Sequence, residues 1–174
     1  YCRFFLDRWV DRSGKDLPRY LDALGQWEAL MSLSTLGFIY PDASFPEIVR
    51  ENANDEERSV FFDAKKMGHP LIPVSTQVRN DFDLKKGIAL ITGSNMSGKT
   101  TLLRTVGVNA VLAYAGAVCC AQSLSLGVMY IATSMRISDS LEEGLSTFYA
   151  ELMRIEKIVR KSKDKKPLLF LMSI

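Results

Sequence analysis

Apolar positions near the start of the chain recur at helical spacing. Leu21, Leu24, Trp27, Leu30 and Met31 repeat every three or four residues, which puts them on one face of an amphipathic helix. Asp16, Leu17 and Pro18 supply its start, because an acidic cap and an early proline both suit the orphan N–H groups of a first turn. The pattern ends before Gly37 or Pro41, and Phe4, Phe5 and Trp9 predict another helix or turn in front. From Pro41 to Leu84 the helical period disappears. Apolar runs at 45–49, 60–62, 71–74 and 78–84 alternate with polar linkers, which predicts short strands and loops. The acidic linker at 51–57 reads as a solvated loop.

After Lys85-Lys86-Gly87 the pattern sharpens. Ile88-Ala89-Leu90-Ile91 is a continuous apolar run, the form expected of a parallel strand covered on both faces. A glycine-rich turn follows, and then Leu102, Leu103, Val106, Ala110 and Ala113 predict a helix from Thr100 to Tyr114. Segments around Val118, Leu124 and 128–131 predict strands, Thr147 to Lys161 a second amphipathic helix, and Leu168 to Met172 a final buried strand. The order is α/β with a sheet at least partly parallel, preceded by a short helical segment. No charge falls between Arg104 and Arg136, yet the longest run there without a polar residue, Ala110 to Ala121, is short of the ~20 apolar residues a spanning helix needs. A core helix followed by short strands is expected there, and no membrane span.

Composition narrows the class further. A chain of 174 residues, 47% hydrophobic and 24% charged, can bury a core without staples and lies outside the disordered, collagenous and disulfide-rich ranges. Cys2, Cys119 and Cys120 form no CxxC pair, and the odd count makes a poor disulfide framework, so a reducing, cytoplasmic setting is expected. The net charge of +2 is too small to argue for nucleic acid or an anionic membrane. No basic segment followed by an apolar one opens the chain as a signal peptide would. Tyr1 in place of an initiator methionine, and an apolar run that ends almost at Ile174, suggest a piece of a longer protein.

The most specific chemistry lies between the predicted strand and helix. Gly93-Ser94-Asn95-Met96-Ser97-Gly98-Lys99-Thr100 matches G-x-x-x-x-G-K-[ST] at every fixed position. Gly93 lets the backbone turn sharply, and Gly98 can take φ values closed to other residues, so successive N–H groups can point at phosphate oxygens. The helix behind them adds its positive end. Lys99 supplies a mobile cation for the β- and γ-phosphates, and the Thr100 hydroxyl suits Mg²⁺. Chance would produce the pattern in roughly 0.6% of chains of this length at average residue frequencies. No Asn-Lys-x-Asp element is present to read guanine, which favours ATP.

With that loop as its centre, the stretch from Leu90 to Arg104 resembles the nucleotide-binding domain of the MutS mismatch-repair ATPase family, whose loop carries Asn-Met between its glycines. Asp139 to Leu152 resembles that family's signature segment, in which Ser-Thr-Phe, here Ser146-Thr147-Phe148, follows a glycine and opens a helix. Gly68-His69-Pro70 with Asn80 beyond it is a third, weaker match. The resemblance implies a P-loop NTPase of the ABC type. It would run from 41 to 174 and break off at the strand of the Walker B element, behind a helical connector at 1–40. Gly93 to Thr101 would bind ATP, with Thr100 on Mg²⁺. The protein would pair with a second copy, each site completed by the partner's Gly144, Ser146 and Thr147, and the full-length protein would act on DNA. His69 would lie near the nucleotide.

Several of these residues also have plainer readings. Ser146 and Thr147 suit an ordinary helix cap. Phe45 and Ile48 are candidates for the adenine contact that an aromatic makes in that family, and equally for the core. The seven basic residues of 154–166 form a solvated face or a DNA-facing patch. One departure stands out: where the family's final strand leads into Asp-Glu, this chain has Ser173-Ile174, so no catalytic carboxylate is assigned. A non-hydrolysing nucleotide-binding module and another ABC-type DNA-maintenance ATPase are the competing functions.

Overall fold

Pro18 opens a helix in the way its position predicts. In the computed structural model, which describes residues 2–49, 61–85, 87–94, 97–134, 147–162 and 168–172, α1 (Cys2–Ser13) passes through one 3-10 turn into α2 (Leu17–Ile39). Pro18 stands in the first turn, where a missing N–H is no loss, while Asp16 occupies the N-cap position without a side-chain hydrogen bond. The start therefore rests on proline geometry rather than on the carboxylate. The apolar face of α2 is present, but none of the described residues buries it: Leu21, Leu24, Trp27, Leu30 and Met31 stay 52–64% exposed. The helix meets the rest of the chain at its end, where Tyr40 is buried and Val118 lies beside Gly37. No helix among the described residues is long and apolar enough to cross a membrane.

The strands form two sheets. β1 (Glu47–Val49), β2 (Phe62–Met67), β3 (Asn80–Leu84) and β4 (Ser123–Gly127) lie in the order β1-β4-β2-β3, with β1 parallel to β4 and β2 antiparallel to both its neighbours. β5 (Tyr130–Ser134) and β6 (Leu168–Met172) form a separate parallel pair. The α/β class and the partly parallel sheet both hold. In β2, Phe62, Ala64 and Met67 face the core although Met67 is out of step with a period of two. A bulge between Ala64 and Met67, with Lys66 at φ +46°, supplies the extra residue that returns Met67 to the inner face.

The helix behind the glycine loop, α3 (Lys99–Tyr114), lies against both sheets. Of its buried face, Val106, Ala110 and Ala113 pack in one cluster with Phe62, Ala64, Leu124 and Leu126 of the larger sheet and Leu169 and Leu171 of β6, and Thr105 and Asn109 are buried beside them in sequence. At Gly107 a Cβ would come within 3.2 Å of Leu171 Cδ1, so helix and strand approach closely there. Phe62 is fully buried and meets Phe82 edge-on at 5.7 Å between ring centroids. The predicted second amphipathic helix is α4 (Thr147–Ser162), with Ile155 and Ile158 half-buried.

Three expectations are corrected. Ile88 to Ile91 is not a ladder strand: Ile88 is 94% and Leu90 84% exposed, and Ile91 alone of the run packs against the core cluster. A parallel strand needs a partner, and among the described residues β5 and β6 pair with each other and the remaining strands belong to the other sheet. The 71–74 run forms turns, with Ile72 N–H bonded to His69 O and Gln77 N–H to Pro73 O, because Pro70 and Pro73 remove donors that a ladder would use. Around Val118 there is only an isolated bridge between Ser44 and Cys119. The 51–57 linker lies outside the described residues.

Candidate functional site

The glycine loop folds back on itself at the start of α3. A Cβ on Gly93 would stand 2.7 Å from Ser97 Oγ, so the turn leaves no room for a side chain. Ser97 N–H donates to Ser94 O at 3.2 Å and closes the loop. Gly98 has φ +87° and ψ 8°, the left-handed region that favours glycine, and it is the N-cap of α3. Its carbonyl accepts the helix bond from Leu102 N–H at 2.8 Å, and no side chain caps the turn. The positive end of α3 thus faces the loop.

Lys99 turns inward. Its Nζ donates to Gly93 O at 2.6 Å and to Ser94 O at 2.7 Å. Both partners are neutral carbonyls, so the ammonium is held in the loop with its charge not neutralised by these contacts. An anion entering the loop would gain a charge-assisted bond where the carbonyls give ordinary ones.

Beside the loop opens a cavity of about 540 Å³, within the size range of small-molecule sites. Gly93, Ser97, Lys99 and Thr101 line one side, and His69 and Gln77 lie on the segment that walls the other. That segment, from Gly68 to Asn80, is anchored several times. Gly68 N–H donates to Cys120 O at 2.7 Å, and Tyr40 Oη donates to Pro70 O at 2.6 Å. Arg79 pairs with Asp42 at 3.5 Å. His69 Nδ1 accepts from Leu71 N–H at 3.1 Å, which requires the ring nitrogen to be unprotonated. Burial, and then the positive charge of Arg104, push the His69 pKa below its ordinary value.

The fold brings together most of the residues singled out by sequence. Gly93, Ser97, Gly98, Lys99 and Thr101 line the cavity with His69 and Asn80; Ser94 lies in the loop and Thr100 in the first turn of α3. Asn95 and Met96 lie outside the described residues, as do Gly144, Ser146, Ser173 and Ile174. Thr147 opens α4, and its side chain is not among those described. Phe45 is 77% exposed ahead of β1, and Ile48 sits on β1 opposite Leu126; neither lines the cavity. On α4, Arg160 pairs with Glu156 at 2.7 Å on an exposed face. Two residues escaped the sequence reading. Gln77 carried no signal beyond its place between Gly68-His69-Pro70 and Asn80, while Asn109 could have been noticed as a polar residue on the apolar face of the predicted helix.

Comparison with known proteins supports one family. Residues 89–173, from the approach to the loop through β6, match the family described as MutS domain V. The chain is a MutS-family homologue. It is 31% identical over 145 residues to a protein named putative endonuclease MutS2 from Bacillus subtilis (strain 168), covering 81% of this chain and 18% of that protein. It is 33% identical over 142 residues to the DNA mismatch repair protein MutS of Anaplasma phagocytophilum (strain HZ), 79% of this chain and 17% of that one. Identity to the DNA mismatch repair protein MutS of Streptococcus thermophilus (strain ATCC BAA-491 / LMD-9) is 30% over 164 residues, 91% of this chain and 19% of the relative. The MutS homologue therefore spans less than a fifth of the length of these relatives.

Proposed function

We propose that this MutS homologue binds ATP with Mg²⁺ at Gly93 to Thr101, and that its full-length dimer couples ATP binding and hydrolysis to movement of a clamp on DNA in mismatch repair. The observation that carries the first part is Lys99 Nζ held between Gly93 O and Ser94 O, at the uncapped end of α3 and beside a cavity of nucleotide size. Among the described residues no three His, Cys, Asp or Glu side chains gather as a metal site. A divalent cation here would draw on phosphate oxygens, water and the Thr100 hydroxyl, a mode that suits Mg²⁺. When bound, that ion neutralises charge on the phosphates. Gly144, Ser146 and Thr147 would complete the site of a second copy.

The test is calorimetry with ATP. Lys99→Ala should weaken binding by the value of a charge-assisted contact, about 1.5–3 kcal/mol. Equal affinity in the two proteins would overturn the reading. Ser173-Ile174, in place of two carboxylates, favours a second reading in which occupancy organises an assembly without turnover.

A further inference from the structure

One hydroxyl ties the middle of the cavity wall to the rest of the fold. Residues 69–77 bring His69, Ile72, Thr76 and Gln77 to the cavity, and they bond chiefly among themselves. Ile72 N–H donates to His69 O, Leu71 N–H to His69 Nδ1, and Thr76 N–H and Gln77 N–H to Pro73 O. Pro70 and Pro73 have no N–H to offer. The Gln77 amide ties nothing, since both its polar atoms are buried without a hydrogen-bond partner. Among the described residues, the only hydrogen bonds from 69–77 to another part of the chain come from Tyr40 Oη, at 2.6 Å to Pro70 O and 3.4 Å to Ile72 O. A hydroxyl has one proton, so Pro70 O takes most of it. Tyr40 itself is firmly placed. It is buried and closes α2, its N–H bonded to Leu36 O at 2.9 Å. A few residues on, Ser44 exchanges backbone hydrogen bonds with Cys119 at 3.1 and 2.8 Å and donates from Oγ to Ala121 O at 2.9 Å. The phenol therefore reaches the wall from a fixed platform.

We infer that Tyr40 is a positioning residue for the nucleotide: its hydroxyl holds residues 69–77 at the distance from the glycine loop that a bound nucleotide needs. The inference rests on the nucleotide reading of the loop and goes beyond it in naming a residue, outside the cavity lining, that sets the facing wall. Phosphates engage the glycine loop and Lys99, and do not need the wall. The rest of the nucleotide crosses the cavity and meets side chains whose placement depends on the Tyr40 bond. Without that bond the wall samples more conformations, and a ligand that touches it must order it at a cost in entropy. Tyr40→Phe keeps the buried ring and removes the tie alone.

The experiment compares the 174-residue chain with Tyr40→Phe and with Ser44→Ala, which loses a hydrogen bond on the same segment that does not reach the wall. Amide exchange is read first, without ligand. In Tyr40→Phe the amides of Leu71, Ile72, Thr76 and Gln77 should exchange about fivefold faster relative to those of α3, the scale of one net hydrogen bond. Calorimetry then uses ATP and inorganic tripolyphosphate, of which only ATP reaches the wall. The unaltered protein should prefer ATP; Tyr40→Phe should narrow that preference by about fivefold and leave tripolyphosphate affinity unchanged. Ser44→Ala should keep the parent preference whatever it does to the Tm. A hydroxyl with a merely structural role would lower the Tm and leave the preference intact, which would overturn the inference. Unchanged exchange at 71–77 in Tyr40→Phe, or an equal narrowing in Ser44→Ala, would overturn it as well. If tripolyphosphate binds in a Lys99-dependent way and ATP gains nothing over it, the wall takes no part in binding and this inference alone falls. If neither probe binds, the loop reading falls and this one with it.

Discussion

Asn109 Nδ2 donates to Gly68 O at 3.0 Å, tying the buried face of α3 to the wall of the candidate nucleotide cavity. The same side chain donates to Thr105 O at 2.9 Å and accepts from Cys120 N–H at 2.8 Å through Oδ1. One carboxamide thus joins the helix, the end of β2 and the approach to β4. Truncation would leave backbone groups buried without these partners. Asn109→Ala should therefore destabilise the fold by about 2–4 kcal/mol, more than loss of its few atoms would imply. Asn109→Leu, which keeps the branched shape but is larger, should cost at least as much, because it too loses all three hydrogen bonds. Urea unfolding measures both, and a cost below about 0.5 kcal/mol for either would show that the backbone groups find other partners.

His69 is the chain's single histidine, so its titration can be followed by NMR as one imidazole. Its pKa in the fold lies below 6.5, from burial first and from Arg104 second. The unfolded chain takes up the proton at the higher pH. His69 therefore contributes stability that is present above about pH 6.5 and is lost as pH falls through the folded value. Phosphates beside Lys99 would add negative charge to the same cavity and favour the protonated ring. Saturating ATP should move the His69 midpoint upward. An unmoved midpoint at saturation would put the nucleotide elsewhere.

The two described thiols are inert in the fold. Cys119 is fully buried, and desolvation, with Cys120 second, pushes its pKa from 9.0 up to about 12. Cys120 is raised as well, chiefly by burial. The unfolded chain releases these protons first, so the stability they confer is complete below about pH 9 and is lost as pH rises towards 12. The urea midpoint should fall between pH 9 and 10.5, and Cys119→Ala with Cys120→Ala should flatten that fall. At pH 8, iodoacetamide should reach both thiols only at the rate of unfolding.

Legibility in the sequence followed the range of the interactions involved. Gly98, Lys99 and the apolar spacing behind them are local, and they placed α3 to within a residue of its observed start. Pro18 likewise placed α2. Ile88 to Ile91 misled because a continuous apolar run announces burial without naming the strand that would cover it, and here no described strand does. The face of α2 misled in the same way: spacing gives a stripe, while burial depends on what lies opposite. The roles of Asn109 and Gln77 were hidden for a different reason, although a polar residue on an apolar face marks Asn109 itself. The partner that fixes Asn109 is a backbone carbonyl 41 residues away, and Gln77 is marked by the absence of any partner. Neither fact is encoded in residue type or period.

Turnover by this chain is expected to be very slow or absent. Phosphoryl transfer needs a positioned Mg²⁺ and a group that orients the attacking water. The resemblance to the MutS ATPase family puts two carboxylates directly after the final strand, and this chain has Ser173 and Ile174 there. Thr100 and the phosphates can still hold Mg²⁺ with water in its remaining positions, so binding need not fail with hydrolysis. ATP should raise the Tm, since a ligand that binds only the folded state stabilises it by mass action, while no phosphate is released. A steady-state phosphate assay on the purified chain, with Lys99→Ala as the control for contaminating ATPases, tests both halves. Lys99-dependent release near ~1 s⁻¹, the low end for typical enzymes, would mean that another group orients the water. With the parent silent as expected, the carboxylates can be supplied by substitution: Ser173→Asp with Ile174→Glu should introduce Lys99-dependent release once a second copy reaches the γ-phosphate. Release that rises with protein concentration would identify that second copy as part of the site.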